Sequence, residues 1–156
     1  MPRSPVDLDD IDLALLRALN RDGRLPAAEL AAQANVSRGT VYARLERLRR
    51  AGVIRNFSVD VDHHKLGLEV TALVLVSAGQ FRWREMSREL AELPEVQYAG
   101  YLTGGFDIVL LVRVSDTEAL RGFVFEKLQN IQGVRSTQTL TVVEEVVDRP
   151  SIIPTN

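Results

Sequence analysis

Cysteine is absent from the sequence, which excludes disulfides, thiolate nucleophiles and cysteine-bound zinc and fits a reducing compartment. Histidine is nearly absent too. The two copies, His63 and His64, are adjacent; in extended chain such neighbours point apart, so a chelate is not formed. They read as solvated residues of a turn. No nucleophile and base converge anywhere in the pattern, so neither catalytic residues nor a bound metal is expected. Long apolar runs are also missing. The richest, 71–78 and 108–112, are far too short to cross a bilayer, and Met1-Pro2-Arg3-Ser4-Pro5 lacks the apolar core of a signal peptide. These absences lead us to expect a soluble, cytoplasmic protein with no membrane contact. Only the first few residues and the tail after Pro150 read as disordered.

The net charge of −2 is ordinary, but its distribution is not. Residues 1–55 hold ten arginines against seven acids, for +3, and residues 56–156 hold nine basic against fourteen acidic residues, for −5. A basic module joined to an acidic one is implied. Within the first, 38–55 holds six arginines and one glutamate, for +5.

That basic stretch reads as a helix marked at both ends. Ser37 suits the N-cap, and Gly52 suits a left-handed position after the C-terminus. Val41, Leu45 and Leu48 share one face. Upstream, Asp7 to Asp12 open a helix whose acids favour its positive end, with Ile11, Leu15, Leu16 and Leu19 facing inward. Pro26 starts a short alanine-rich helix in which Ala31 and Ala32 permit close crossing, and Val36 plugs the turn of Asn35, Val36 and Ser37. Helix, short helix, tight turn and helix is the helix-turn-helix order. A basic face alone suits mere solvation, and the three helices also suit a bundle for protein contacts. The pattern and the charge together favour DNA.

Residues 53–62 read as a strand or extended linker, with Phe57, Val59 and Val61 on one face. Beyond residue 68 the pattern changes class. Strands are expected at 69–78, 96–103, 106–114 and 134–147, and helices at 81–93 and 117–129, the second capped by Asp116. The order is βαββαβ, the ferredoxin-like arrangement. Both helices cover one sheet face, and a second subunit is the economical cover for the other. The expected class is therefore α+β: a helix-turn-helix domain, winged-helix-like, over 1–53, a strand and linker over 54–68, a ferredoxin-like domain over 69–147 and a tail over 148–156.

Two separated stretches carry a family resemblance. Asp9-Asp10-Ile11-Asp12 with Leu15-Leu16, Asn20-Arg21-Asp22-Gly23-Arg24 and Leu45 to Ile54 resemble the DNA-binding half of the Lrp/AsnC transcription regulators. Thr103-Gly104-Gly105-Phe106-Asp107, Gly133-Val134 and Val142 to Val146 resemble its sensing half. The resemblance implies a bacterial or archaeal regulator that dimerises through the sensing domains and assembles further, often to octamers. It implies a small effector, usually an amino acid, held between neighbouring dimers, and no other cofactor. The family commonly has an acid right after the first glycine of the turn; this chain has Gly105 there and keeps Asp107.

Candidate site residues follow. Ser37, Arg38, Gly39, Thr40, Tyr42 and Ala43 form the presented first turns of the basic helix, where arginine meets guanine and small side chains meet a thymine methyl. Arg44, Arg47 and Arg49 suit phosphates, although Arg44 and Arg49 suit ion pairs within the subunit as well. Glu46 opposes phosphate and pairs with a nearby arginine. For the effector, Tyr101, Thr103, Gly104, Gly105 and Asp107 surround a turn whose glycines let backbone N–H groups approach a carboxylate. Asp107 suits the ammonium, and Gln138, Thr139 and Leu140 suit a far wall from a neighbouring subunit. Alone, Gly104-Gly105 reads as no more than a tight turn. Two other functions share these features: a stand-alone sensing or scaffolding module, and an enzyme on the ferredoxin-like domain.

Overall fold

The computed structural model describes residues 5–79, 83–147 and 151–154. The chain divides into two compact units, one of residues 1–60 with 147–156 and one of residues 61–146.

The first unit holds three helices: α1 (Asp10–Arg21), α2 (Ala27–Ala34) and α3 (Arg38–Arg50). At the start of α1, Asp9 and Asp12 form a capping box, in which each carboxylate accepts from the other's backbone N–H, at 2.9 and 3.2 Å. This satisfies two donors that a helix start leaves open. Leu15, Ala18, Leu30, Ala31 and Val41 form the core, with Ile11, Leu19, Val36 and Leu45 packed against it. Leu16 is only half-buried, and Leu13 is buried in its stead. Of the two alanines expected at the crossing, Ala31 is buried and Ala32 exposed, because a helix turns about 100° per residue and parts sequence neighbours.

Asn35, left-handed at φ 52°, closes α2. Ser37 caps α3 by accepting from the Thr40 N–H at 3.1 Å. At the other end Gly52 is left-handed at φ 72°. There the Val53 N–H reaches the Leu48 carbonyl at 2.9 Å and the Gly52 N–H the Arg49 carbonyl at 3.0 Å. This paired closure occupies two carbonyls that the helix end would leave bare. From Arg55 to Asp62 the chain is exposed and in no strand, so it reads as the linker alternative. Its alternating apolar residues have no neighbouring strand among the described residues. The tail is less free than expected. The Ser151 carbonyl accepts from Asn20 Nδ2 at 3.2 Å, and the Pro154 carbonyl accepts from Arg17.

The second unit is a four-stranded antiparallel sheet of β1 (Val70–Ala78), β2 (Val96–Tyr101), β3 (Ile108–Val114) and β4 (Val134–Thr141). The spatial order is β2-β3-β1-β4, as the ferredoxin-like reading requires. Helices α4 (Trp83–Ala91) and α5 (Thr117–Gly122) are the two crossovers. Residues 80–82, where the first helix was expected to begin, lie outside the described residues. Alternation sends Ala72, Val74, Val76, Ile108, Leu110 and Val112 into a core with Met86, Leu90, Phe123 and Leu128. Leu73, Leu75, Val109 and Leu111 take the opposite face.

The expected helix over 117–129 is broken. After α5 come a wider π turn, Phe123–Lys127, and a tight turn, Leu128–Asn130. Phe123 and Leu128, five apart, are both buried; wider winding turns such a pair onto one side, which α-helical pitch does not. The last strand is shorter than expected. It stops at Thr141, opposite Ala72 and two residues inside the start of β1, where one further bond joins the Val142 N–H to the Thr71 carbonyl at 2.9 Å. Val143 and Val146 are then exposed.

Candidate functional site

On α3 one side faces the core through Val41 and Leu48. Ser37, Arg38, Gly39, Tyr42 and Ala43 are exposed on the first turns, whereas Thr40 is half-buried. Its hydroxyl meets the Ser37 hydroxyl at 2.9 Å, so Thr40 belongs to the cap as much as to the presented face. Arg38 has no side-chain partner among the described residues, whereas Glu46 accepts from Arg50 at 2.9 Å and lies 3.2 Å from Arg49.

Arg44 and Arg47 are placed differently. Arg44 Nη1 donates to Asp9 Oδ1 at 2.7 Å and to Asp12 Oδ1 at 3.0 Å, and Arg47 Nη2 donates to the other oxygen of Asp12. Asp12 is fully buried, Arg44 is 24% exposed and Arg47 46%. The carboxylates of the α1 cap thus hold the flank of α3. The Arg44 hydrogen bond, then the Asp12 N–H, pull the Asp9 carboxyl down to about 2, and the two carboxylates raise the pKa of Arg44. Both arginines expected to suit phosphates are thus ion-paired within the subunit. Arg44 takes the ion-pair alternative; Arg47 is tethered but half open. Asp9 and Asp12, read in the sequence only as acids suited to a helix start, prove to bridge two helices. Their spacing to a pair of arginines three apart on the later helix was the available signal.

In the second unit the hairpin between β2 and β3 gathers Tyr101, Thr103, Gly104, Gly105 and Asp107. Thr103, Gly104 and Gly105 are exposed. Neither glycine has a positive φ, and a Cβ on either would meet nothing within 4 Å. The turn itself therefore does not require glycine, and the tight-turn reading leaves both unexplained. Asp107 is partly committed, since its Oδ2 accepts from the Ala78 N–H at 2.7 Å. The Tyr101 hydroxyl lies 2.5 Å from Ser87 Oγ. Gln138, Thr139 and Leu140 sit on the far edge strand, opposite Leu75, Val74 and Leu73. One chain does not bring them to its own hairpin, and alternation puts Thr139 on the helix-covered face.

Two family models match successive parts of the chain. Residues 8–49 match the AsnC-type helix-turn-helix domain, and residues 71–152 match the Lrp/AsnC ligand binding domain. The chain belongs to the Lrp/AsnC family. As a member it is a DNA-binding transcription regulator rather than an enzyme. An uncharacterised HTH-type transcriptional regulator of Pyrococcus abyssi is 43% identical over 86% of this chain and 85% of its own. The regulator AldR of Mycolicibacterium smegmatis is 37% identical, over 90% and 84%. Among solved structures, E. coli AsnC superposes with a TM-score of 0.85 at 32% identity, covering 96% of this chain and all of that one. The Neisseria meningitidis regulator NMB0573, solved as an L-Met complex, superposes with a TM-score of 0.88 at 27% identity, over 94% and 96%. Among the described residues, this regulator has no helix long and apolar enough to cross a membrane.

Proposed function

We propose that this regulator lays the first turns of α3 in the major groove of duplex DNA. Arg38, Gly39, Tyr42 and Ala43 meet base edges there, with Ser37 and Thr40 holding the entry of the helix. The observation that carries this reading is the contrast on α3 itself. Arg38 is exposed on the presented face with no side-chain partner among the described residues, while Arg44 is bonded back to Asp9 and Asp12. Arg44 orients the helix, and Arg47 joins it there while its open side meets phosphate.

The effector is an amino acid at the β2–β3 hairpin. Support comes from Gly104 and Gly105, whose missing side chains no contact within the chain explains, and from the L-Met complex of the Neisseria relative. Thr103 and the open lone pairs of Asp107 serve the ammonium side, Tyr101 borders the site, and Gln138, Thr139 and Leu140 come from a neighbouring subunit. Two chains pair through the open sheet face, where Leu73, Tyr98 and Leu140 are exposed apolar residues, and dimers assemble further to octamers. The protein works in the cytoplasm. An effector acts only through different affinity for two assemblies or orientations.

Fluorescence anisotropy on duplex DNA across a salt series tests the reading. Affinity should fall steeply with salt, as phosphate neutralisation requires. Absence of binding at low salt overturns it and leaves a stand-alone sensing module.

A further inference from the structure

A second cleft lies at the other end of the β2–β3 pair from the effector hairpin. It has a volume of about 530 Å³, within the usual range for small-molecule sites. The hairpin joins Tyr101 to Ile108, whereas the cleft takes Glu95 and Gln97 from the start of β2 and Arg113 from the end of β3. A strand length, roughly 20 Å, separates the two.

The walls combine an apolar body with unspent polar capacity. Leu68, Pro94 and Val114 supply the apolar surface. Two of the lining residues each carry a buried polar atom, His63 Nδ1 and Glu95 Oε2, with no hydrogen-bond partner among the described residues. A polar atom left so keeps its desolvation cost without return, and native interiors rarely tolerate it. His63 thereby departs from the solvated turn residue expected of it. Its neighbour His64 does take a partner, Glu69, at 3.2 Å.

The cations of the cleft are already matched. Arg113, 6% exposed, donates to Thr71 at 2.9 Å, to Gln97, and through two nitrogens to Glu145 at 2.9 and 3.1 Å. Lys127 takes Glu95 Oε1. The capacity left over is that of acceptors: one carboxylate oxygen, and the imidazole nitrogen in the tautomer with its proton on Nε2. In that tautomer both atoms accept, so a donor finds both.

We propose that this cleft is a binding site for a small primary amine. Its ammonium donates to Glu95 Oε2 and His63 Nδ1, and its hydrocarbon rests on Leu68, Pro94 and Val114. The inference is independent of the DNA face and of the hairpin. His63 belongs to the segment that leads from the linker and Glu95 to the sheet, so an occupied cleft fastens one to the other.

Butylammonium and butyrate share an apolar body and differ in charge, which makes them the probes. Each is titrated into the full-length protein while the methyl resonances of Leu68 and Val114 are followed by NMR. Butylammonium should shift both saturably and butyrate neither. Glu95→Gln keeps the shape and one acceptor but loses the charge, and should weaken binding about tenfold. His63→Ala, a second variant free of the Lys127 pair, should weaken it about threefold. Thr103→Ala at the hairpin should leave it unchanged. No saturable shift, an equal response to butyrate, or unaltered binding in both cleft variants overturns the proposal.

Discussion

The two units of this regulator are organised by opposite means. The DNA-binding unit fixes its key helix with charge: two carboxylates of one helix cap hold two arginines of another. The sensing unit fixes its sheet with hydrocarbon, sealing one face under Phe123 and Leu128 and leaving Leu73, Tyr98 and Leu140 exposed on the other. A small three-helix unit buries little apolar area, so a directional contact sets its helix angle. A sheet gets its geometry from the ladder and has a face to spare.

That contrast predicts a graded set of effects. Phe123→Ala, in the sealed core, should cost about 3–5 kcal/mol of stability, measured by denaturant unfolding of the sensing unit. Asp12→Ala leaves Arg44 and Arg47 without their buried acceptor and should cost about 2–3 kcal/mol. It should also weaken DNA binding, although the residue never touches DNA. Arg38→Ala should change stability by less than about 0.5 kcal/mol yet alter sequence preference. If Asp12→Ala proves silent in both assays, charge does not hold the first unit.

Acid sharpens the same comparison. Asp9 is ordinarily near 3.8 and sits at about 2 when folded, so the folded state holds its proton less tightly than the unfolded chain. Its contribution is complete above about pH 4 and is lost as the pH falls toward 2. The first unit should therefore lose stability through that window, and Asp9→Asn should flatten the loss in acid unfolding curves. The smallest expected effect is at the hairpin. Gly105→Ala needs no left-handed backbone and meets open space, so stability should hold or rise by up to about 1 kcal/mol. The response to added amino acid, read as a thermal shift, should be lost.

Much of this was legible in the sequence because its signals are local. Ser37, Gly52 and Asp116 marked helix ends, and the alternation of 70–78 and 108–114 marked the sheet. The misses arose where a partner far along the chain decides. β4 stops at Thr141, two residues inside the start of β1, and the segment after α3 stays extended with no strand beside it among the described residues. The helix after Asp116 widens to bring Phe123 and Leu128 to one core. At the site, the run of arginines was plain, but its division was not. Only the packing of α1 against α3 separates arginines that face outward from arginines that face Asp9 and Asp12.

That division is tested most directly by the salt dependence of duplex binding in single arginine variants. Removing an arginine that neutralises one phosphate should lower the slope of log affinity against log salt by about 0.9. Arg44→Ala should leave the slope at its wild-type value while lowering thermal stability, and Arg49→Ala, on the exposed side, should reduce the slope with stability kept. The reverse pattern, a reduced slope for Arg44→Ala at unchanged stability, would contradict the division of α3 into a held flank and a presented face.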